Sequence, residues 1–197
     1  MSNKLIKSKP TPSKRLDVRD KKANAIVEVF NLFRDIGSYV LHDKHGYGKK
    51  RLNDIEGLIW SYNEKYALGE LTLNELMAYC KGYLDITPSA ITSRIPKKFR
   101  ENIAKRHILG VYNREYLEAM RIINGGCNLY WAMIVTALHS TKKMSKPEIK
   151  RFINEFIYVT EELLDKDITG LTHEDLKMVL QEESKFSIVE VAVLKEA

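Results

Sequence analysis

The sequence predicts an all-α protein: two pseudo-repeated three-helix units, joined by a helical connector and preceded by a disordered basic arm. Three observations predict it. Apolar residues recur at three- and four-residue spacings through several long segments, which is the period of a half-buried helix. Two short stretches, Leu71-Thr72-Leu73-Asn74-Glu75-Leu76 and Leu171-Thr172-His173-Glu174-Asp175-Leu176, each place a threonine cap behind a leucine, with an acid three residues on. A 97-residue offset lays one half of the chain on the other.

The elements follow in order. Residues 1–16 hold Pro10, Pro12 and several lysines with few apolar anchors, so they read as a disordered arm. From about Asp17 to Leu41 one stripe carries Ile26, Phe30, Phe33, Ile36 and Val40, and Gly46 and Gly48 end it. A second helix, about Lys49–Tyr66, turns Leu52, Ile55, Ile59 and Tyr62 to one side. Thr72 and Glu75 start a third helix over about 73–84, with Leu71 and Leu76 as its staple. Thr87-Pro88 starts a further helix. A basic stretch follows that is helical from Lys97 to Leu109.

The periodic pattern returns near Arg114 with Tyr116, Met120 and Ile123, and Gly125-Gly126 is expected to break or kink it before Tyr130, Ile134 and Leu138. Helices over about Lys146–Leu164 and 173–183 complete the set, while residues 185–195 stay open: their β-branched content suits a strand, but no partner strand is evident. Trp60 and Trp131 lie in apolar stretches and are expected in the core. The resulting organisation is an arm at 1–16, a first unit at 17–86, a basic connector at 87–115 and a second unit at 116–197, all in one compact domain.

The repeat aligns Asn31-Leu32-Phe33 with Asn128-Leu129-Tyr130 and Leu41-His42 with Leu138-His139. It also aligns Leu52, Ile55 and Ile59 with Ile149, Phe152 and Phe156. After a three-residue insertion the two stapled caps coincide. Each unit alone is small for a comfortable core, so two copies packed about a pseudo-twofold axis are expected.

Charge and composition narrow the function. The net charge of +6 belongs entirely to residues 1–25, where eight Lys and Arg face two Asp. The body is neutral overall but polarised, with a basic patch at Lys97, Lys98, Arg100, Lys105 and Arg106 and an acidic stretch at 161–183. No apolar run approaches the roughly 18 residues of a membrane span, and no apolar segment follows the basic start as a secretory signal requires. Cys80 and Cys127 show no metal spacing, and reduced cytoplasmic thiols are expected.

The most distinctive stretch is Leu41–Leu52, LHDKHGYGKKRL. Gly46 and Gly48 before a helix start, followed by Lys49, Lys50 and Arg51, suit an anion or partner site, with Tyr47 available to stack and His42 and His45 beside it. An interhelix turn is the competing reading. His42, Asp43 and His45 supply too few ligands for a closed metal site, so neither metal nor cofactor is expected. No catalytic constellation is apparent.

On Leu41, His42, Asp43, Gly46, Gly48, Lys49, Arg51 and Leu52 the stretch resembles the L-H-D-x-F-G-F-G-x-x-R-L segment of small phage and prophage proteins of Gram-positive bacteria. His45 and Tyr47 stand at that pattern's aromatic positions. The resemblance covers residues 30–86, with a faded copy over 127–188. It implies a phage setting and supplies no activity. The expected function is a non-enzymatic accessory protein that binds a host or defence component, either a protein or a nucleotide signal. The alternative is a nucleic-acid binder in phage replication or transcription, using the arm at 4–22, Lys49–Arg51 and Lys97–Arg106. A second copy of the chain is a further partner this reading admits.

Overall fold

The computed structural model describes residues 12–107, 113–141, 144–165 and 169–186. Among these, all regular structure is helical. The helices are α1 (Pro12–Asp43), α2 (Lys49–Ala67), α3 (Leu73–Leu84), α4 (Pro88–Arg94), α5 (Lys97–His107), α6 (Asn113–Ser140), α7 (Lys146–Leu164) and α8 (His173–Glu183). α1 begins at Pro12, so residues 12–16 of the expected arm are helical; residues 1–11, and most of the β-branched stretch 185–195, lie outside the described residues.

The caps act where the sequence places them. Thr72 accepts from the Glu75 N–H at 3.2 Å while the Glu75 carboxylate accepts from the Thr72 N–H at 2.7 Å. Thr172 and Asp175 repeat this box at the head of α8. Thr87 accepts from the Ala90 N–H, with Pro88 just inside α4. Each box satisfies donors that a helix start otherwise leaves unpaired.

α1 and α6 cross at the centre. Val29 lies against Gly126, and Phe33 meets Tyr130 edge-to-face at 5.5 Å. Trp131, Phe152 and Phe156 complete an aromatic core, with Trp131 and Phe156 centroids 4.7 Å apart. The outer helices are exchanged around this pair. α2 and α3 pack mainly on α6, while α7 and α8 pack mainly on α1. α4 and α5 also cover α6, and α5 reaches α1.

Two expectations change. α6 runs unbroken through Gly125 and Gly126. Each glycine costs helix propensity, about 1 kcal/mol against alanine, but packing on both sides of the pair outweighs it. Trp131 is fully buried as expected, whereas Trp60 is 41% exposed. Trp60 sits one residue past Ile59 on α2, which rotates it off the buried face and onto the lip of a cleft.

Candidate functional site

The Leu41–Leu52 stretch is where α1 stops and α2 starts, and its backbone is spent on that task. The Gly46 N–H donates to His42 O at 3.0 Å and the Tyr47 N–H donates to Leu41 O at 2.9 Å, while Gly46 has φ +66°. Gly46, in the left-handed position, ends α1 with the single 5→1 bond of an αL cap, and the Tyr47 N–H reaches further back to Leu41. The Gly46 and Tyr47 N–H groups are therefore engaged by helix carbonyls, while the first N–H groups of α2, after Gly48, head the helix that the anion reading uses.

Gly48 caps α2 with φ −82°, a conformation open to any residue. His42 Nδ1 donates to Tyr47 O at 2.9 Å and its Nε2 lies 3.3 Å from Glu183. His45 Nε2 lies 2.8 Å from Glu155 on α7. The two histidines thus face carboxylates. Tyr47 is 3% exposed, with the Arg51 guanidinium over its ring at 5.4 Å. Lys49, Lys50 and Arg51 are exposed on the first turn of α2.

The basic patch is largely engaged inside the molecule. Lys97 lies 3.4 Å from Glu101, Arg100 donates to Asn124 Oδ1 at 2.7 Å, and Arg106 pairs with Glu28. Lys98 and Lys105 are exposed on the same helix.

The feature with the character of a site lies elsewhere. A cleft of about 490 Å³ opens between α1, α2, α6 and the start of α3, within the roughly 300–1,000 Å³ of small-molecule pockets. Ile26 and Phe30 of α1, Ile59 and Trp60 of α2, and Leu129 and Tyr130 of α6 give it apolar walls. Gly125 and Gly126 form part of the α6 wall, and a Cβ at Gly125 would meet nothing within 4 Å. The stripe positions Ile26 and Phe30 thus face this opening; Ile26 is 37% exposed.

Arg34 and Glu56 also line the cleft. Arg34 is 5% exposed, and none of its three guanidinium nitrogens has a hydrogen-bond partner among the described residues. Its Nε lies 3.1 Å from Glu56 Oε1, an ion pair without hydrogen-bond alignment. Asp35, buried beside it, lies 3.9 Å from the same Nε and 2.6 Å from His173 Nε2 at the head of α8. Burial pushes the Glu56 carboxyl up to about 7, against the pull of Arg34 and with a further push from Asp35.

Burying this many ionisable groups is costly unless they are well paired, and this set is poorly paired. The sequence signal was available: Arg34-Asp35 is a charged pair lying inside the apolar stripe, between Phe33 and Ile36.

The other reactive groups are quiet. Burial pushes both cysteine thiols up to about 12, which leaves them protonated and poor nucleophiles. Among the described residues no cluster of three or more His, Cys, Asp or Glu side chains is placed to hold a metal ion. Among the same residues no helix is long and apolar enough to cross a membrane.

Comparison with protein-family models, with curated proteins and with solved structures gave no match. The cleft and its charges therefore carry the functional argument.

Proposed function

We propose that the chain is a binding module without a reaction of its own, in which one of two duplicated interhelix spaces has been left open as a ligand cleft. Duplication is supported by element bounds. The 97-residue offset carries α2, Lys49–Ala67, onto the bounds of α7, Lys146–Leu164, and the end of α1 onto the end of α6. Val29 with Gly126 and Phe33 with Tyr130 are pairs at that same offset that touch each other, as residues beside a twofold axis do. The exchanged packing of α2 and α3 on α6, and of α7 and α8 on α1, fits the same axis.

The observation that carries the function is the difference between the two spaces. Arg34, Glu56, Ile59 and Gly126 border the cleft. Their counterparts at the offset are Trp131, Ile153, Phe156 and Val29, all 0–1% exposed. At these four positions one copy is apolar and closed, while the other carries two charges, a shorter side chain and a bare glycine beside a hollow; at Phe30 and Trp60 the bulk is reversed, since their counterparts are Cys127 and Ile157. A hollow costs cohesion, because its lining lacks contacts on one side. A bound group restores them.

The phage setting rests on the resemblance at Leu41–Leu52, and within it the ligand is a component of the host cell or of its defences. Nucleic-acid binding has less support, since Lys97 and Arg106 are paired with Glu101 and Glu28 and Arg100 is held by the Asn124 amide, which leaves Lys98 and Lys105 of that patch and Lys49–Arg51 to face a phosphate backbone.

The test uses fluoroindole as a probe, followed by fluorine NMR against the full chain. Saturable one-to-one binding is expected, with quenching or a spectral shift of Trp60. Gly125→Leu, which extends into the empty part of the cleft, should unfold as cooperatively as the parent and lose the probe. Absence of saturable binding, or unchanged binding in the folded variant, sinks the reading.

A further inference from the structure

Arg34 makes the cleft chemically selective. Its apolar walls alone would accept any hydrocarbon group of suitable size. A guanidinium bordering such a cleft, 5% exposed and without a hydrogen-bonded partner, adds a demand for a planar acceptor that can take two parallel N–H bonds. We infer that the cleft binds a small apolar monocarboxylate, with its body against Phe30, Trp60 and Tyr130 and its carboxylate on Arg34. This rests on the cleft being the binding site.

Charge selects a single carboxylate over a phosphate. The neighbourhood of Arg34 already holds Asp35 and Glu56. A doubly charged head would meet one guanidinium and two acids, in surroundings that desolvate all of them. Arg121 also borders the cleft, but its guanidinium is bound to Glu118 by contacts of 3.0 and 3.1 Å. A monoanion with an apolar body matches both the walls and the buried Arg34 guanidinium.

The guanidinium nitrogens lie beneath the cleft surface, next to the Glu56 carboxyl. A ligand reaches them by taking the place of that carboxyl. The exchange balances when Glu56 is protonated: a neutral acid leaves Arg34 and the ligand's carboxylate replaces it as the counter-charge. Glu56 titrates near neutrality because burial outweighs the pull of Arg34. Above about pH 7 the ionised Glu56 competes for Arg34, so affinity should fall as pH rises from 6 to 8. His173 lies 2.6 Å from Asp35 and belongs to the same charged group. The Glu56→Gln comparison isolates the contribution of Glu56.

The experiment titrates the full-length protein with phenylacetate, indoleacetate and octanoate, each beside its amide, by calorimetry at pH 6 and pH 8. A peptide ending in phenylalanine, with a free or an amidated C-terminus, forms a separate arm. At pH 6 the acids should bind at least about tenfold tighter than their amides, the ratio one charge-assisted contact supports. Arg34→Met should bring the acids down to the amides' level and leave the amides unchanged. Glu56→Gln should keep the preference for acids and lose its decline with pH.

Tighter binding of the free-carboxylate peptide than of the small acids would make the source a protein C-terminus; the reverse order would make it a free acid. Equal affinity of acid and amide for the parent protein overturns the inference while leaving the cleft as a binding site. That comparison needs no variant to fold. If neither acids, amides nor fluoroindole bind, the cleft reading falls as well.

Discussion

Replacing Glu56 with glutamine should stabilise the protein, and the gain should grow with pH. Below pH 4.5 the buried Glu56 is a neutral acid, close in shape and polarity to glutamine, so the two proteins should unfold alike. In the unfolded chain the carboxyl ionises near 4.5, whereas in the folded protein it ionises at about 7. The native state therefore holds a proton that the unfolded state releases. Stability contributed by this group is fully present below 4.5, drains away between 4.5 and 7, and stays lost at higher pH.

At about 1.4 kcal/mol per pKa unit, that interval corresponds to a ceiling of about 3 kcal/mol. Water entering the cleft and adjustment of Arg34 will lower it. Urea unfolding followed by circular dichroism, at half-unit steps from pH 4.5 to 8.5, gives the difference between the two proteins directly. The expected curve starts near zero and climbs to a plateau above pH 7. A flat difference would refute burial as the dominant influence on Glu56. A variant that becomes progressively less stable than the parent with rising pH would show that Arg34 holds the carboxyl ionised, which inverts the argument.

Gly46→Ala should cost about 1 kcal/mol because position 46 needs φ +66°, whereas Gly48→Ala should be neutral in the same urea assay. Gly37→Ala should destabilise by about 1–3 kcal/mol, since the added Cβ would lie 2.6 Å from the Tyr130 hydroxyl, and calorimetric unfolding would register it. Thr72→Ala should remove about 1 kcal/mol by opening the box with Glu75, again read from urea midpoints. Iodide should quench about half of the tryptophan emission, and Trp60→Phe should abolish the quenchable part, because Trp131 is fully buried and Trp60 is 41% exposed.

Helix positions were the most legible part of the chain. Thr72, Thr87 and Thr172 announce their helices because a cap is a local contract between neighbouring residues. The starts of α3, α4 and α8 follow from them. The interior of α6 was harder to read. Gly125-Gly126 resembles a break, and only the neighbouring helices show that the pair thins one wall of a cleft.

Periodicity names the face of a helix but not what lies opposite it. Ile26 and Phe30 fall on the same stripe as Phe33, yet they face the hollow while Phe33 faces the core. The site was harder still. Gly46, Tyr47 and Gly48 look like a ligand loop because the residues that end one helix and begin the next are those that also suit an anion. Arg34 and Glu56 lie on different helices, and no spacing in the sequence links them.

The exchanged packing has a consequence for how the protein comes into being. α2 and α3 bury their apolar faces mainly on α6, which begins at Asn113. While the chain is being synthesised, α2 and α3 leave the ribosome before the surface they need has emerged. α1 in turn waits for α7 and α8, the last helices of the described chain. Neither half can reach its final form alone. Folding should therefore behave as a single late event dominated by distant contacts, with relatively slow kinetics for a helical protein. Until then, exposed helices can pair with those of a neighbouring nascent chain, so a chain stalled in the α5–α6 region should be the species most prone to aggregate.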